Sequence, residues 1–141
     1  MKRLQGWGNP ETDYPVPEPA KKFLFEVLGK PLTLKDAEPE QLIKKVPGSR
    51  LKPHLSISTD PLDRLAHARG QSTNDWVDMR DGLINSFPDG VAYPHDTEEV
   101  ADLIDYAKKS GCHIIPYGGG SSVVGHLTPL SSDRPTLSVD M

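Results

Sequence analysis

Three consecutive glycines and two hydroxyls, Gly118-Gly119-Gly120-Ser121-Ser122, follow directly on the strand-like run Ile114-Ile115-Pro116-Tyr117 and precede Val123-Val124-Gly125. This is the chemistry of an anion cradle. Glycine lets the backbone approach a phosphate closely and visit positive φ, so that successive N–H groups converge on its oxygens while serine hydroxyls add donors. On this reading Gly119 needs both the room a phosphate takes and a positive φ that a β-branched residue would resist. Taken alone, a triple glycine also suits a mobile turn between two strands. Two commoner nucleotide signatures fail on the same residues. A Walker loop needs Lys-Ser/Thr after its last glycine, but Gly125 is followed by His126-Leu127. A dinucleotide fingerprint needs a further glycine where Val123 stands, and Pro129 cuts short the helix that should start there. The cradle is therefore expected between a strand and a loop.

Other reactive side chains offer less. Cys112, the single cysteine, excludes an intrachain disulfide, and its neighbour His113 points to the opposite side of a strand, so Cys112 reads as a buried structural thiol. His54, His67, His95 and His126 show no metal-site spacing. Net charge is −4, divided as +3 over residues 1–70 and −7 over 71–141, so the candidate cradle lies in the acidic part. That excludes nucleic acid, whose affinity comes from clustered Lys and Arg, and makes backbone dipoles the anion ligand. The basic residues Lys44, Lys45, Arg50 and Lys52 read as a solvated loop face. No apolar run approaches the ~20 residues of a membrane span, and no signal-peptide core follows Met1, so a cytoplasmic chain is the expectation.

The elements that must position the loop follow from periodicity. With 14 prolines and 35% hydrophobic residues the chain reads as loop-rich with a modest core. The first 18 residues read as an extended arm anchored by Trp7. Pro19 opens a helix whose Phe23, Leu24, Val27 and Leu28 form a packing face and whose Gly29 ends it. A short helix is expected over 37–45. A third starts at Asp60-Pro61 and closes at Gly70, and a fourth runs from Ser72 or Thr73 to Gly82. Beyond Asp89 the period changes: strand 91–93, a helix capped by Asp96 or Thr97 with Val100, Leu103, Ile104 and Ala107 on its apolar face, then strand 113–117. This is a parallel, right-handed β-α-β unit, which presents ligand loops at its strand ends. The last residues, Thr136-Leu137-Ser138-Val139-Asp140-Met141, read as a strand that stops mid-sheet and leaves an open edge at 137–139.

Several of these segments, in order and spacing, resemble one family. Asp63-Arg64-Leu65-Ala66-His67-Ala68-Arg69-Gly70, Met79-Arg80-Asp81-Gly82, Pro88-Asp89-Gly90-Val91-Ala92-Tyr93-Pro94 and the glycine loop look like the start of the flavin domain of the alkyldihydroxyacetonephosphate synthase-like family, in the vanillyl-alcohol oxidase and p-cresol methylhydroxylase group. Gly6-Trp7-Gly8 resembles its entry segment, while residues between about 10 and 60 match only loosely. The resemblance implies an α/β (α+β) fold: an arm and helical region over 1–86, then the first β-α-β part of a p-cresol methylhydroxylase-type FAD-binding domain over 87–141, in an amino-terminal fragment of a longer enzyme. It implies that FAD pyrophosphate meets the amides of Gly118, Gly119, Gly120, Ser121 and Ser122, that Pro116 and Tyr117 shape the entry, and that Val123, Val124 and Gly125 form the adjoining wall. Members that tether FAD covalently have His where Ser121 stands, so the flavin here is expected to be non-covalent, with His126 the one substitute attachment point. The whole enzyme would be an FAD-dependent oxidoreductase or an alkylglycerone-phosphate synthase-like transferase of ether lipid biosynthesis, with a small-molecule or lipid-like substrate and a homodimeric assembly. Its catalytic residues would lie past residue 141, leaving this segment inactive by itself. Two alternatives stay open: an FAD-linked 2-hydroxy-acid dehydrogenase of the D-lactate or glycolate type, against which the Trp7 and 64–70 segments count, and a non-catalytic binding module.

Overall fold

The computed structural model describes residues 11–32 and 35–141 of the chain. The Trp7 anchor and the Gly6-Trp7-Gly8 segment lie outside the described residues. Among the described residues five helices, α1 (Glu18–Leu28), α2 (Pro39–Ile43), α3 (Pro61–Ala66), α4 (Thr73–Asp81) and α5 (Thr97–Ser110), accompany four strands, β1 (Ile57–Ser58), β2 (Gly90–Ala92), β3 (His113–Tyr117) and β4 (Thr136–Asp140). The strands form one sheet in the order β1-β2-β4-β3, with β1 antiparallel to β2 and the other pairs parallel.

Local signals account for most helix ends. Ser72 and Asp75 form a reciprocal capping box at the start of α4, and Gly82 ends it at φ 71°. Asp96 accepts from the Glu99 amide at the start of α5, Glu98 and Glu99 sit in its first turn, and Lys108 and Lys109 in its last. Asp60 caps α3 by accepting from the amides of Leu62 and Asp63.

Several expectations are corrected. Helix α3 ends at Ala66, well before Gly70, and α2 is shorter than 37–45. Helix α1 forms where expected but packs on nothing described: Phe23, Leu24, Val27 and Leu28 are all exposed, because periodicity reveals a stripe and not its partner. On α5 only Leu103 and Ala107 are buried, and Ile104 faces outward. The β2-α5-β3 crossover is parallel as expected, yet β4 inserts between its strands. Strand β4 is thus the centre of the sheet, not its open edge, and Thr136, Leu137, Ser138 and Val139 are buried.

Alternation along β4 divides the interior. Leu137 and Val139 join Ala92, Leu103, Ala107 and Cys112 in a core between sheet and α5. The buried Cys112 is the structural thiol that was expected. On the opposite face, Leu42, Leu65, Ala68, Met79 and Ile84 form a second core among the helices. Arg64 stitches the helical part to the sheet by donating from Nε to the Pro88 carbonyl at 2.7 Å and from Nη1 to the Pro47 carbonyl at 2.6 Å, and its burial pushes its pKa down.

Lys44, Lys45, Arg50 and Lys52 are all exposed as expected, but two of them also tie segments together. Arg50 clamps the buried Asp89 carboxylate with Nε at 2.8 Å and Nη2 at 2.7 Å, and reaches the carbonyls of Ser132 and Arg134. Lys45 Nζ donates to the Gly82 carbonyl at 2.6 Å. Asp89 Oδ2 also accepts from the Thr136 amide at 2.8 Å, which fixes the start of β4. Burial pushes the Asp89 carboxyl upward, but the hydrogen bonds from Arg50 and Thr136 outweigh it and hold the group below the usual carboxylate range.

Candidate functional site: a glycine-loop recess at the end of β3

The chain leaves β3 at Tyr117 and returns at Thr136 without a helix or strand between them. The first part of this excursion walls a recess of about 410 Å³ lined by Pro116, Gly118, Gly119, Gly120, Ser121, Ser122, Val123, Val124, His126 and Leu127. The recess lies at the carboxyl end of a parallel strand, where open α/β sheets bind ligands. Among the described residues no Lys, Arg, Asp or Glu lines it, so an anion there meets backbone, hydroxyls and one imidazole.

Each glycine has its own reason. Gly120 adopts φ 71°, and a Cβ on it would run into the Tyr117 hydroxyl, so the fold itself demands glycine there. Gly118 and Gly119 have no positive φ; a Cβ on Gly118 would meet nothing within 4 Å, and one on Gly119 only Ser121 Oγ at 4.0 Å. Among the described residues, neither Cβ space nor a positive φ requires glycine at these two positions. A ligand that must touch the backbone would. The positive φ expected at Gly119 therefore belongs to Gly120.

The other expected site residues divide. Val123 and Val124 line the recess but are 66% and 79% exposed, so the wall they form faces solvent. Tyr117 and Gly125 do not line it. Tyr117 is buried beneath the loop, donates to the Ala66 carbonyl at 3.3 Å and packs on the His67 ring at 4.3 Å between centroids. Burial, then the Asp140 charge, pushes its hydroxyl pKa up. It braces the cradle and does not shape its entrance. Gly125 makes a turn at φ 78°, where its carbonyl accepts from the Thr128 amide.

The helical region supplies a support that the sequence did not reveal. The Gln71 amide donates to the Ser122 carbonyl at 2.6 Å, and a Cβ on Gly70 would overlap that same carbonyl. Gly70 is thus a close-approach glycine and not a helix stop. Its only prior signal is its place at the end of the 64–70 segment.

Beside this support, His67 Nδ1 donates to the Asp63 carbonyl at 2.7 Å and Nε2 lies 3.0 Å from Asp140 Oδ2. Tyr93 stacks edge-on to His67, and burial together with Asp63 and Asp140 pushes its pKa up to about 12, so it stays protonated at neutral pH. Among the described residues no group of three or more His, Cys, Asp or Glu side chains could hold a metal, and no helix is long and apolar enough to cross a membrane.

Comparisons with known proteins agree with this geometry. Residues 88–141 match the family model described as an FAD binding domain. Over 85 residues the chain is 41% identical to alkyldihydroxyacetonephosphate synthase of Dictyostelium discoideum, covering 60% of this chain and 14% of that protein. The Caenorhabditis elegans synthase is 36% identical over 88 residues, 62% of this chain and 15% of the relative. A mitochondrial cytochrome-type D-lactate dehydrogenase of Kluyveromyces lactis is 40% identical over 76 residues, 54% of this chain and 12% of that one. A solved alkyldihydroxyacetonephosphate synthase in crystal form P1 superposes with a TM-score of 0.78 at 26% identity, covering 99% of this chain and 32% of its own. The chain therefore spans about a third of that solved structure. Residues 88–141 thus carry the likeness to an FAD binding domain, and in sequence and fold the chain resembles part of alkyldihydroxyacetonephosphate synthase.

Proposed function

We propose that the 118–122 loop holds the pyrophosphate of FAD without a covalent bond, in an enzyme that acts as an alkyldihydroxyacetonephosphate synthase. The observation that carries the loop assignment is the pair Gly118 and Gly119, which neither Cβ space nor a positive φ requires among the described residues, facing a recess that no described anionic side chain lines. Backbone donors, the Ser121 hydroxyl and Pro116 would surround the anion, with Val123 beside it. When bound, the flavin supplies the redox and covalent chemistry; this chain's residues bind and orient it. Residues 87–141 would form the flavin-binding part, and 1–86 the region that braces it through Gly70, Gln71 and Tyr117. A cytoplasmic location and a homodimer complete the reading. A small or lipid-like substrate, an ester of dihydroxyacetone phosphate, belongs to the whole enzyme.

The test is the visible spectrum of the full-length product, followed by exchange of acyl-dihydroxyacetone phosphate with a fatty alcohol. A yellow protein active in this exchange supports the reading; a colourless one overturns it. The likeness to the D-lactate dehydrogenase favours a second reading, oxidation of a 2-hydroxy acid. Bleaching of the flavin by D-lactate, without alkyl exchange, would establish that reading instead.

A further inference from the structure

The recess carries a hydrogen bond that the cradle reading does not use. Ser122 Oγ and His126 Nδ1 are 3.0 Å apart, both lining the recess, and the Val124 amide donates to the same Oγ at 3.4 Å. A serine hydroxyl has one proton to donate and two lone pairs to accept with. The Val124 N–H takes one lone pair. If Nδ1 is bare, the Ser122 proton is spent on His126, and Ser122 turns its remaining lone pair toward any anion in the recess. If Nδ1 carries hydrogen, it fills that lone pair, and the Ser122 O–H must point elsewhere.

Resting on the FAD reading above, we infer that His126 is a charge-bearing positioning residue of the cradle: as imidazolium it donates from Nδ1 to Ser122 Oγ and turns the Ser122 hydroxyl proton onto the FAD pyrophosphate, so that cofactor binding takes up a proton. Three observations converge on it. The recess has no Lys or Arg to meet a dianion, and His126 is the one ionisable side chain among its lining residues. The surrounding 71–141 portion has a net charge of −7, which a single local cation would offset where it matters. The imidazole is exposed at the rim of the recess, where an anion entering from solvent can reach it. A second hollow on the other side of His126 is lined by His113, Ile114, Ile115, Thr128, Leu130 and Thr136. Of these only His113 carries an ionisable side chain, and its Nε2 lies 3.4 Å from Ser132 Oγ. The neutral Nδ1–H tautomer would orient Ser122 in the same way but would bring no charge; the dianion favours the imidazolium.

The test is NMR of the full-length protein with the histidine rings labelled by ¹⁵N, titrated from acid to alkaline pH with and without millimolar FAD, whose pyrophosphate diester does not itself titrate in this range. With FAD bound, the His126 midpoint should move up by about one pH unit, and FAD should bind several-fold tighter at pH 6 than at pH 8, up to a limit of about tenfold. His126→Gln should flatten this dependence, and Ser122→Ala should weaken binding at pH 6 while leaving some upward shift. His113 should not respond. If the 118–122 amides respond to FAD while the His126 midpoint stays fixed, the inference is wrong and the FAD reading stands. If those amides do not respond either, the cradle reading falls, and the inference falls with it.

Discussion

Gly118→Ala separates a glycine kept for the fold from one kept for a ligand. A Cβ at Gly118 meets nothing within 4 Å, and the residue has no positive φ, so the methyl group costs the free protein nothing. By restricting the unfolded chain it should stabilise by about 0.4–1 kcal/mol, a rise in Tm of about 1–4 °C for a domain of this size. The same methyl occupies the space through which the pyrophosphate must reach the backbone. Losing two hydrogen bonds to a charged group, each about 1.5 kcal/mol, removes about 3 kcal/mol, or more than about a hundredfold in FAD affinity. Gly120→Ala should behave in the opposite order. The φ of 71° and the Tyr117 hydroxyl make it destabilising before any ligand is present, by about 1–2 kcal/mol for the backbone alone. The assays are thermal unfolding of the apo variants and flavin-fluorescence titration in the full-length protein. A Gly118→Ala protein that keeps wild-type FAD affinity, or one that unfolds as early as Gly120→Ala, would refute the reasoning.

Other outcomes follow from the same contacts. Gly70→Ala drives a methyl into the Ser122 carbonyl, so it should cost about 1–3 kcal/mol of stability and also weaken FAD binding, measured by unfolding and titration together. Asp89→Asn loosens the clamp on Arg50 and Thr136 and should destabilise by about 3 kcal/mol in urea unfolding. Because the folded Asp89 carboxyl is held low, the wild-type contribution is complete above the unfolded value near pH ~4 and lost as pH falls through the lower folded value; the variant should lack that acid-side loss. Acid precipitation of the full-length holoprotein should leave FAD in the supernatant, since serine stands at position 121, and flavin fluorescence on the denatured band would contradict this.

Local chemistry was readable without coordinates where it acts over a few residues. The capping of α4 and α5, the Gly82 and Gly111 stops, the bounds of β3 and the glycine loop at its end all follow from side chains that satisfy their own neighbourhood. The candidate recess was legible for the same reason, since one continuous loop supplies most of its lining. What depends on partners distant in sequence was not. Thr136–Asp140 alternates like an edge strand, yet parallel pairing on both sides buries it at the centre of the sheet. Gly70 reads as a helix stop until Ser122, 52 positions away, is seen against it. Arg50 reads as a solvated charge until the fold brings Asp89 to it. A sequence specifies which faces are apolar and which turns need glycine, because those are properties of one segment; which segments meet is decided by the packing of the whole chain.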